Sequence, residues 1–251
     1  MTEKREQEIE VPTNEAPFVE VFKFRPVNKF TLDSLIKKQL YFSSPAELND
    51  PHDCQVDIEQ SIRTAIAETT GDQQEKLNIL LMQKDTLESL RSNLDSSGVC
   101  SFSNEQLNPV MWSHYADGHR GIGLYYHIPE AFILGNEMGM QGVSYGDSLL
   151  SDWLKTCSIA FDVDFLFKII KRTLTSKGED WAYEKELRFI RRATGGLDID
   201  PAFLREIFFG LRTSERDKDL IQRIVHSHYP SCTFVQIERG SSDFGLNAID
   251  L

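Results

Sequence analysis

The stretch Trp181-Ala182-Tyr183-Glu184-Lys185-Glu186-Leu187-Arg188-Phe189-Ile190 decides between two readings of the fold. As a strand, its period of two puts Glu184, Glu186 and Arg188 on one face and Tyr183, Lys185, Leu187 and Phe189 on the other. Same-face neighbours on a strand lie about 6.5–7 Å apart, so two carboxylates and a guanidinium line a short track. As a helix, the same residues make Glu184 and Arg188 an ordinary i,i+4 surface ion pair. The apolar and aromatic neighbours, and the further strand pattern downstream, favour the strand. Like-charged neighbours raise one carboxyl pKa while the arginine lowers it, an arrangement that acid–base or cation-stabilising chemistry uses.

Working outward, other strands are expected over Phe18 to Arg25 (stopped by Pro26), Leu40 to Phe42, Val99 to Phe102, Gly121 to His127, Arg205 to Gly210 and Thr233 to Glu238. Helices are expected over Leu32 to Lys38 with Thr31 as cap, over 151–176, and from a Ser214 cap to about His228. Between Val56 and about Leu94, apolar residues at helical spacing predict two amphipathic helices broken at Gly71, an inserted helical hairpin over 56–95. Strands outnumber clean β-α-β units, which predicts an α+β fold with a mixed or antiparallel sheet and flanking helices. No linker rich in Pro, Gly and Ser divides the chain. Residues 1–16, charged and without periodicity, are expected to be a mobile tail, and 17–251 a single domain.

Composition limits the function. Among 251 residues, 40% are hydrophobic and 26% charged, ordinary globular usage, and 16 Phe supply a thick core. No window approaches the roughly 18 consecutive apolar residues of a membrane span, and no signal peptide opens the chain, so a cytoplasmic home without membrane partners is expected. Cys54, Cys100, Cys157 and Cys232 are far apart, with no metal-ligand spacing, and read as small buried hydrophobes; no metal site is expected. The net charge of −12 disfavours bulk nucleic-acid binding, while a small anion in one cationic pocket remains compatible with it. Signature motifs of nucleotide triphosphatases, classical dehydrogenases, zinc proteases and α/β-hydrolases are missing from the sequence.

Two further segments carry candidate chemistry. Met111-Trp112-Ser113-His114-Tyr115-Ala116-Asp117-Gly118-His119-Arg120-Gly121 concentrates side chains that stack, donate and titrate. There Trp112 and Tyr115 are expected to clamp a planar ring, His114 or His119 to donate to an anion, and Arg120 to fork onto phosphate or carboxylate. Lys23 and Arg25 end the first strand, a common place for binding groups. Asn49-Asp50-Pro51-His52-Asp53 reads as a plain turn or as a second polar element; Ser101 and Ser103 give a weaker signal.

Several of these stretches resemble one known family. They are Phe22-Lys23-Phe24-Arg25, Leu40-Tyr41-Phe42-Ser43, Asn49-Asp50-Pro51, Cys100-Ser101-Phe102-Ser103, Met111-Trp112-Ser113-His114-Tyr115 with Gly121, Trp181 to Arg188, and Ile207-Phe208-Phe209-Gly210. In this order, over residues 22–210, they resemble the bacterial domain-of-unknown-function family 2971, related to abortive phage-resistance proteins. A looser similarity, an early basic strand, a middle Ser or Tyr element and a late Glu-x-Glu, is to ADP-ribosyltransferases. It implies a sheet split about an NAD site, and with the family 2971 resemblance a role as an antiphage toxin or effector. By this resemblance Glu186 stabilises the oxocarbenium-like centre as nicotinamide leaves, and Glu184 is the base toward a macromolecular acceptor or water. Arg25 anchors the phosphates, and Ser113 or Tyr115 supports the nicotinamide side. The chain departs from that pattern in having no Ser-Thr-Ser in the middle strand and no His in the first. Two other readings stay open: a non-catalytic regulator or antitoxin-like protein whose polar motifs stabilise the fold, and a metal-dependent nuclease using Asp50 with Glu184 or Glu186.

Overall fold

The computed structural model describes residues 17–240 and 244–251. The expected tail over 1–16 lies outside them. The strands are β1 (Phe18–Arg25), β2 (Gln39–Phe42), β3 (Gly98–Ser103), β4 (Ile122–Pro129), β5 (Gly139–Gly142), β6 (Ser144–Tyr145), β7 (Ser176–Lys177), β8 (Glu186–Arg191), β9 (Gly195–Asp198), β10 (Leu204–Phe209), β11 (Thr233–Arg239) and β12 (Leu246–Asp250). The helices are α1 (Lys29–Lys37), α2 (Ile58–Ala67), α3 (Asp72–Met82), α4 (Lys84–Asp95), α5 (Pro109–Tyr115), α6 (Glu130–Gly135), α7 (Leu149–Thr156), α8 (Val163–Leu174) and α9 (Glu215–His228). The expected α+β class holds: helices flank one eight-stranded mixed sheet of order β12-β11-β10-β4-β1-β3-β8-β5. Its one parallel pair among the described residues is β10 with β11, joined through α9. The pairs β2–β9 and β6–β7 form two small satellite sheets.

Alternation along β1 sorts its side chains onto the two faces. Phe22 and Phe24 enter a cluster with Trp112, Phe208 and Ile237. Val21 turns the other way, into the larger cluster with Leu35, Phe189, Phe209, Ile221 and Val225. Lys23 and Arg25 follow Val21 by the period of two. The close packing is visible at Gly123, which pairs with Phe24; a Cβ there would stand 2.0 Å from the Phe22 ring. Any larger residue at that position would drive Phe22 out of its cluster.

Four local expectations are corrected. The cap of α1 is Asn28, whose Oδ1 accepts from the Thr31 amide at 3.1 Å, and Thr31 is buried inside the helix. The inserted hairpin is three helices, because the chain breaks at Gln83 as well as at Gly71. These helices bury Ile62, Leu77, Leu80 and Leu90 with Leu154 and Ile169, so α2–α4 share a core with α7 and α8. The single helix expected over 151–176 is the pair α7 and α8, restarted where Asp162 accepts from the Phe165 amide at 2.8 Å. Finally, the strand read from Ala182 begins only at Glu186. No helix among the described residues is long and apolar enough to cross a membrane. The four cysteines are free.

Candidate functional site

The sheet comes apart at its middle. β1 pairs with β4 along its whole length, yet meets β3 at the single rung Phe22↔Ser103 among the described residues. At its other end β3 takes up Ser43 instead, through the bridge Ser43↔Val99. Between these two points the strands diverge and open a cleft of about 270 Å³. Lys23 and Arg25 line it from β1, Ser101 and Ser103 from β3, Tyr115 from α5, and Glu184 and Glu186 from the far side.

The two glutamates arrive by different routes. β8 pairs with β3 from Gly98↔Arg191 to Ser103↔Glu186, and its ladder stops at Glu186 because β3 stops at Ser103. Residues Glu179–Glu184 form a 3₁₀ turn, and Lys185 adopts the left-handed conformation (φ 44°, ψ 53°). Three bonds pin this turn: Ser103 Oγ donates to the Glu184 carbonyl at 2.8 Å, Asn108 Nδ2 to the Tyr183 carbonyl at 3.0 Å, and the Asn104 amide to the Lys185 carbonyl at 3.2 Å. The expected shared strand face therefore applies to Glu186 and Arg188 only. Glu184 reaches the same cleft because the turn, not the pleat, points it there.

Beneath the cleft lies a dense charge network. Arg188 is fully buried and uses all five of its N–H donors. Its Nε donates to Glu186 Oε1 at 2.8 Å and its Nη2 to Glu186 Oε2 at 2.9 Å, a bidentate fork. Nη2 also reaches Asp53 Oδ2 at 2.6 Å, while Nη1 reaches the Leu174 carbonyl at 2.8 Å and Cys54 Sγ at 3.0 Å. Lys177 Nζ stands 2.6 Å from Glu184, 3.4 Å from Asp53 and 3.6 Å from Glu186, and lies over the Trp181 ring at 4.7 Å. Tyr115 donates its hydroxyl to Glu184 Oε1 and accepts from Asn49 Nδ2 at 3.3 Å.

Three carboxylates thus face two cations, and the imbalance acts on the two glutamates differently. Burial pushes its pKa up further than Lys177 and Tyr115 hold it down, and the neighbouring Glu186 adds to the rise. Burial also disfavours charge on Glu186, but Arg188, Lys177 and Ser101 together outweigh it and hold that carboxyl below its ordinary value. Lys177 loses proton affinity to burial and regains more from its three carboxylates, so its pKa ends raised.

Other expected site residues are distributed differently. Lys23, Arg25, Tyr115, Glu184 and Glu186 share the cleft, and Arg188 lies under it. Trp112 is not available to clamp a ring: it is fully buried, edge-on to Phe24 at 5.3 Å, with its Nε1 donating to the Gln106 carbonyl at 2.8 Å. Ser113, His114 and Arg120 are exposed or rim residues outside the cleft lining. Ser113 donates back to the Pro109 carbonyl at 2.9 Å, His114 Nδ1 bonds Tyr183 OH at 2.9 Å, and Arg120 reaches the Asp117 carbonyl at 3.3 Å. Asp50, invoked for a nuclease, instead closes a turn by accepting from the His52 amide at 2.9 Å, and it does not line the cleft. Sequence reasoning missed Lys177 and passed over Asp53 as part of a turn. Neither sits in a periodic pattern, and only the fold shows their common target. No family model, no curated protein and no solved structure matches the chain.

Proposed function

We propose that the cleft binds NAD or a close relative and cleaves its N-glycosidic bond, as an ADP-ribosyltransferase or NAD glycohydrolase acting in bacterial antiphage defence. The observation that carries this reading is the pairing, in one cleft, of two carboxylates in different surroundings, Glu186 forked by Arg188 and Glu184 held by Tyr115 and Lys177. Environments that push two titratable groups apart assign an acid–base role to one and an ionised role to the other. Glu186, kept ionised by the Arg188 fork, stabilises positive charge as it develops at the ribosyl carbon and nicotinamide departs neutral. Glu184, with its raised pKa, takes the proton of the incoming hydroxyl or water. Arg25 has no side-chain hydrogen bond or ion pair among the described residues and is free to meet the pyrophosphate. The cleft volume is near the low end for small-molecule sites, which suits the nicotinamide-ribose end with the adenosine over the rim. The defence setting and the grouping with family 2971 rest on the resemblance of the motifs alone.

One observation favours a different reading. Arg188 spends every donor inside the protein, as expected if the network only stabilises the fold of a non-catalytic regulator. Nicotinamide release from NAD separates the two. The enzymatic reading expects turnover by the wild type and a drop of about 10²–10³ for Glu186→Gln, the range seen when one transition-state electrostatic contact is removed. A wild-type protein that neither releases nicotinamide nor gains thermal stability with NAD would overturn it.

A further inference from the structure

Two lysines line this cleft in opposite surroundings. Lys177 is ringed by Asp53, Glu184 and Glu186 and stays an ammonium. Lys23 has no carboxylate within ion-pair distance among the described residues. Its Nζ donates to the Ser101 carbonyl at 2.6 Å, touches Cys100 Sγ at 3.5 Å and sits over the Phe102 ring at 4.9 Å. Arg25, two residues along the same strand face, adds a cation that has no side-chain hydrogen bond or ion pair among the described residues. A lysine desolvated against apolar surface or beside another cation is the setting in which amines act as nucleophiles toward carbonyl carbon.

We propose that Lys23 is a nucleophilic amine that forms an imine with a small phosphorylated aldose whose phosphate is held by Arg25. The lone pair of Nζ adds to the aldehyde carbon, making a C–N bond, and the carbonyl oxygen becomes the hydroxyl of a carbinolamine. That oxygen then leaves as water with the two hydrogens that began on the amine, leaving a C=N bond; nothing is oxidised or reduced. Glu184 and Tyr115 across the cleft can lend and recover the proton that the departing hydroxyl needs. Burial, chiefly, and Arg25 lower the proton affinity of Lys23, partly offset by Cys100 and Glu186, so the free amine is more accessible than at a surface lysine. Open-chain ADP-ribose, a product of NAD hydrolysis, belongs to the same ligand class. The inference does not require NAD cleavage, because the aldose itself serves as the probe.

The test is reductive trapping on the folded wild-type chain with ribose 5-phosphate and cyanoborohydride, followed by peptide mass mapping. Hydride from the reagent converts the imine to a stable secondary amine. The expected result is labelling at Lys23 about tenfold above Lys177 and above exposed lysines such as Lys37 and Lys168. Unphosphorylated ribose should label Lys23 about tenfold more weakly, since it offers Arg25 nothing to hold. A label spread evenly over exposed lysines, or none at Lys23, would overturn the proposal whatever the outcome with NAD. Both measurements use the native sequence, so no variant has to fold.

Discussion

The two sides of the cleft treat charge in opposite ways. On the β7–β8 side, Asp53, Glu184 and Glu186 are matched against Lys177 and Arg188, with contacts from 2.6 to 3.6 Å. On the β1 side, Lys23 and Arg25 meet no carboxylate within ion-pair distance among the described residues. Matched buried charges hold geometry, because removing one partner strands the other in a medium that solvates it poorly. An unmatched cation such as Arg25 contributes little to folding and keeps its attraction for a ligand. The contrast teaches that the far wall is built to be rigid and the near wall to bind.

Breaking the matched wall should have the largest effect. Arg188→Met leaves Asp53 and Glu186 buried without their main partner, and stability measured by urea unfolding should fall by about 3–5 kcal/mol. A loss below about 1 kcal/mol, the scale of a surface pair, would erase the contrast. On the other wall, Arg25→Ala should leave stability within about 0.5 kcal/mol of wild type. Its cost should appear in calorimetric binding of a pyrophosphate-bearing nucleotide, weakened about tenfold. An equal loss of stability would make Arg25 a structural residue.

The smallest effect concerns pH. Glu184 has a folded pKa raised above the ordinary carboxyl value of 4.5, so the native state holds that proton more tightly than the unfolded chain. Its contribution to stability is fully present below 4.5 and is lost as the pH rises through the raised folded value. Glu186 runs the other way: its contribution is present above 4.5 and is lost as the pH falls through its lowered folded value. Glu184→Gln should therefore flatten the decline in stability on the alkaline side of 4.5, read from denaturant midpoints across that range. An unchanged slope would show that another group in the network governs this decline.

Much of the frame was legible because strands announce themselves through short apolar runs bounded by turn residues. Phe18–Arg25, Gly98–Ser103, Leu204–Phe209 and Thr233–Arg239 lie where alternation and apolar content place them. Convergence of Glu184, Glu186 and Tyr115 was also legible, though the route was misread. A period of two extends a strand indefinitely, whereas here β8 ends where its partner β3 ends, a tertiary fact that no local pattern carries. Lys177 and Asp53 were hidden for a related reason. Each is a lone charge in a turn-like segment, and burial turns it into a partner only after α2–α4, α7 and α8 have packed. Trp112 misled in the opposite sense: an aromatic beside Ser, His and Tyr looks like a ligand platform, but its indole fills a core between Phe22 and Phe24.

The left-handed residue between the two glutamates bears on any attempt to transplant this centre. A Glu-x-Glu written onto an ideal designed strand would space its carboxylates by the pleat, about 6.5–7 Å apart, and would lose the arrangement found here. A graft must carry the bend at Lys185 together with its anchors Ser103, Asn104 and Asn108. Glycine at 185 would ease the roughly 1–2 kcal/mol that a side chain costs in that conformation, which makes it the natural first substitution for an engineer copying the bend into a foreign scaffold.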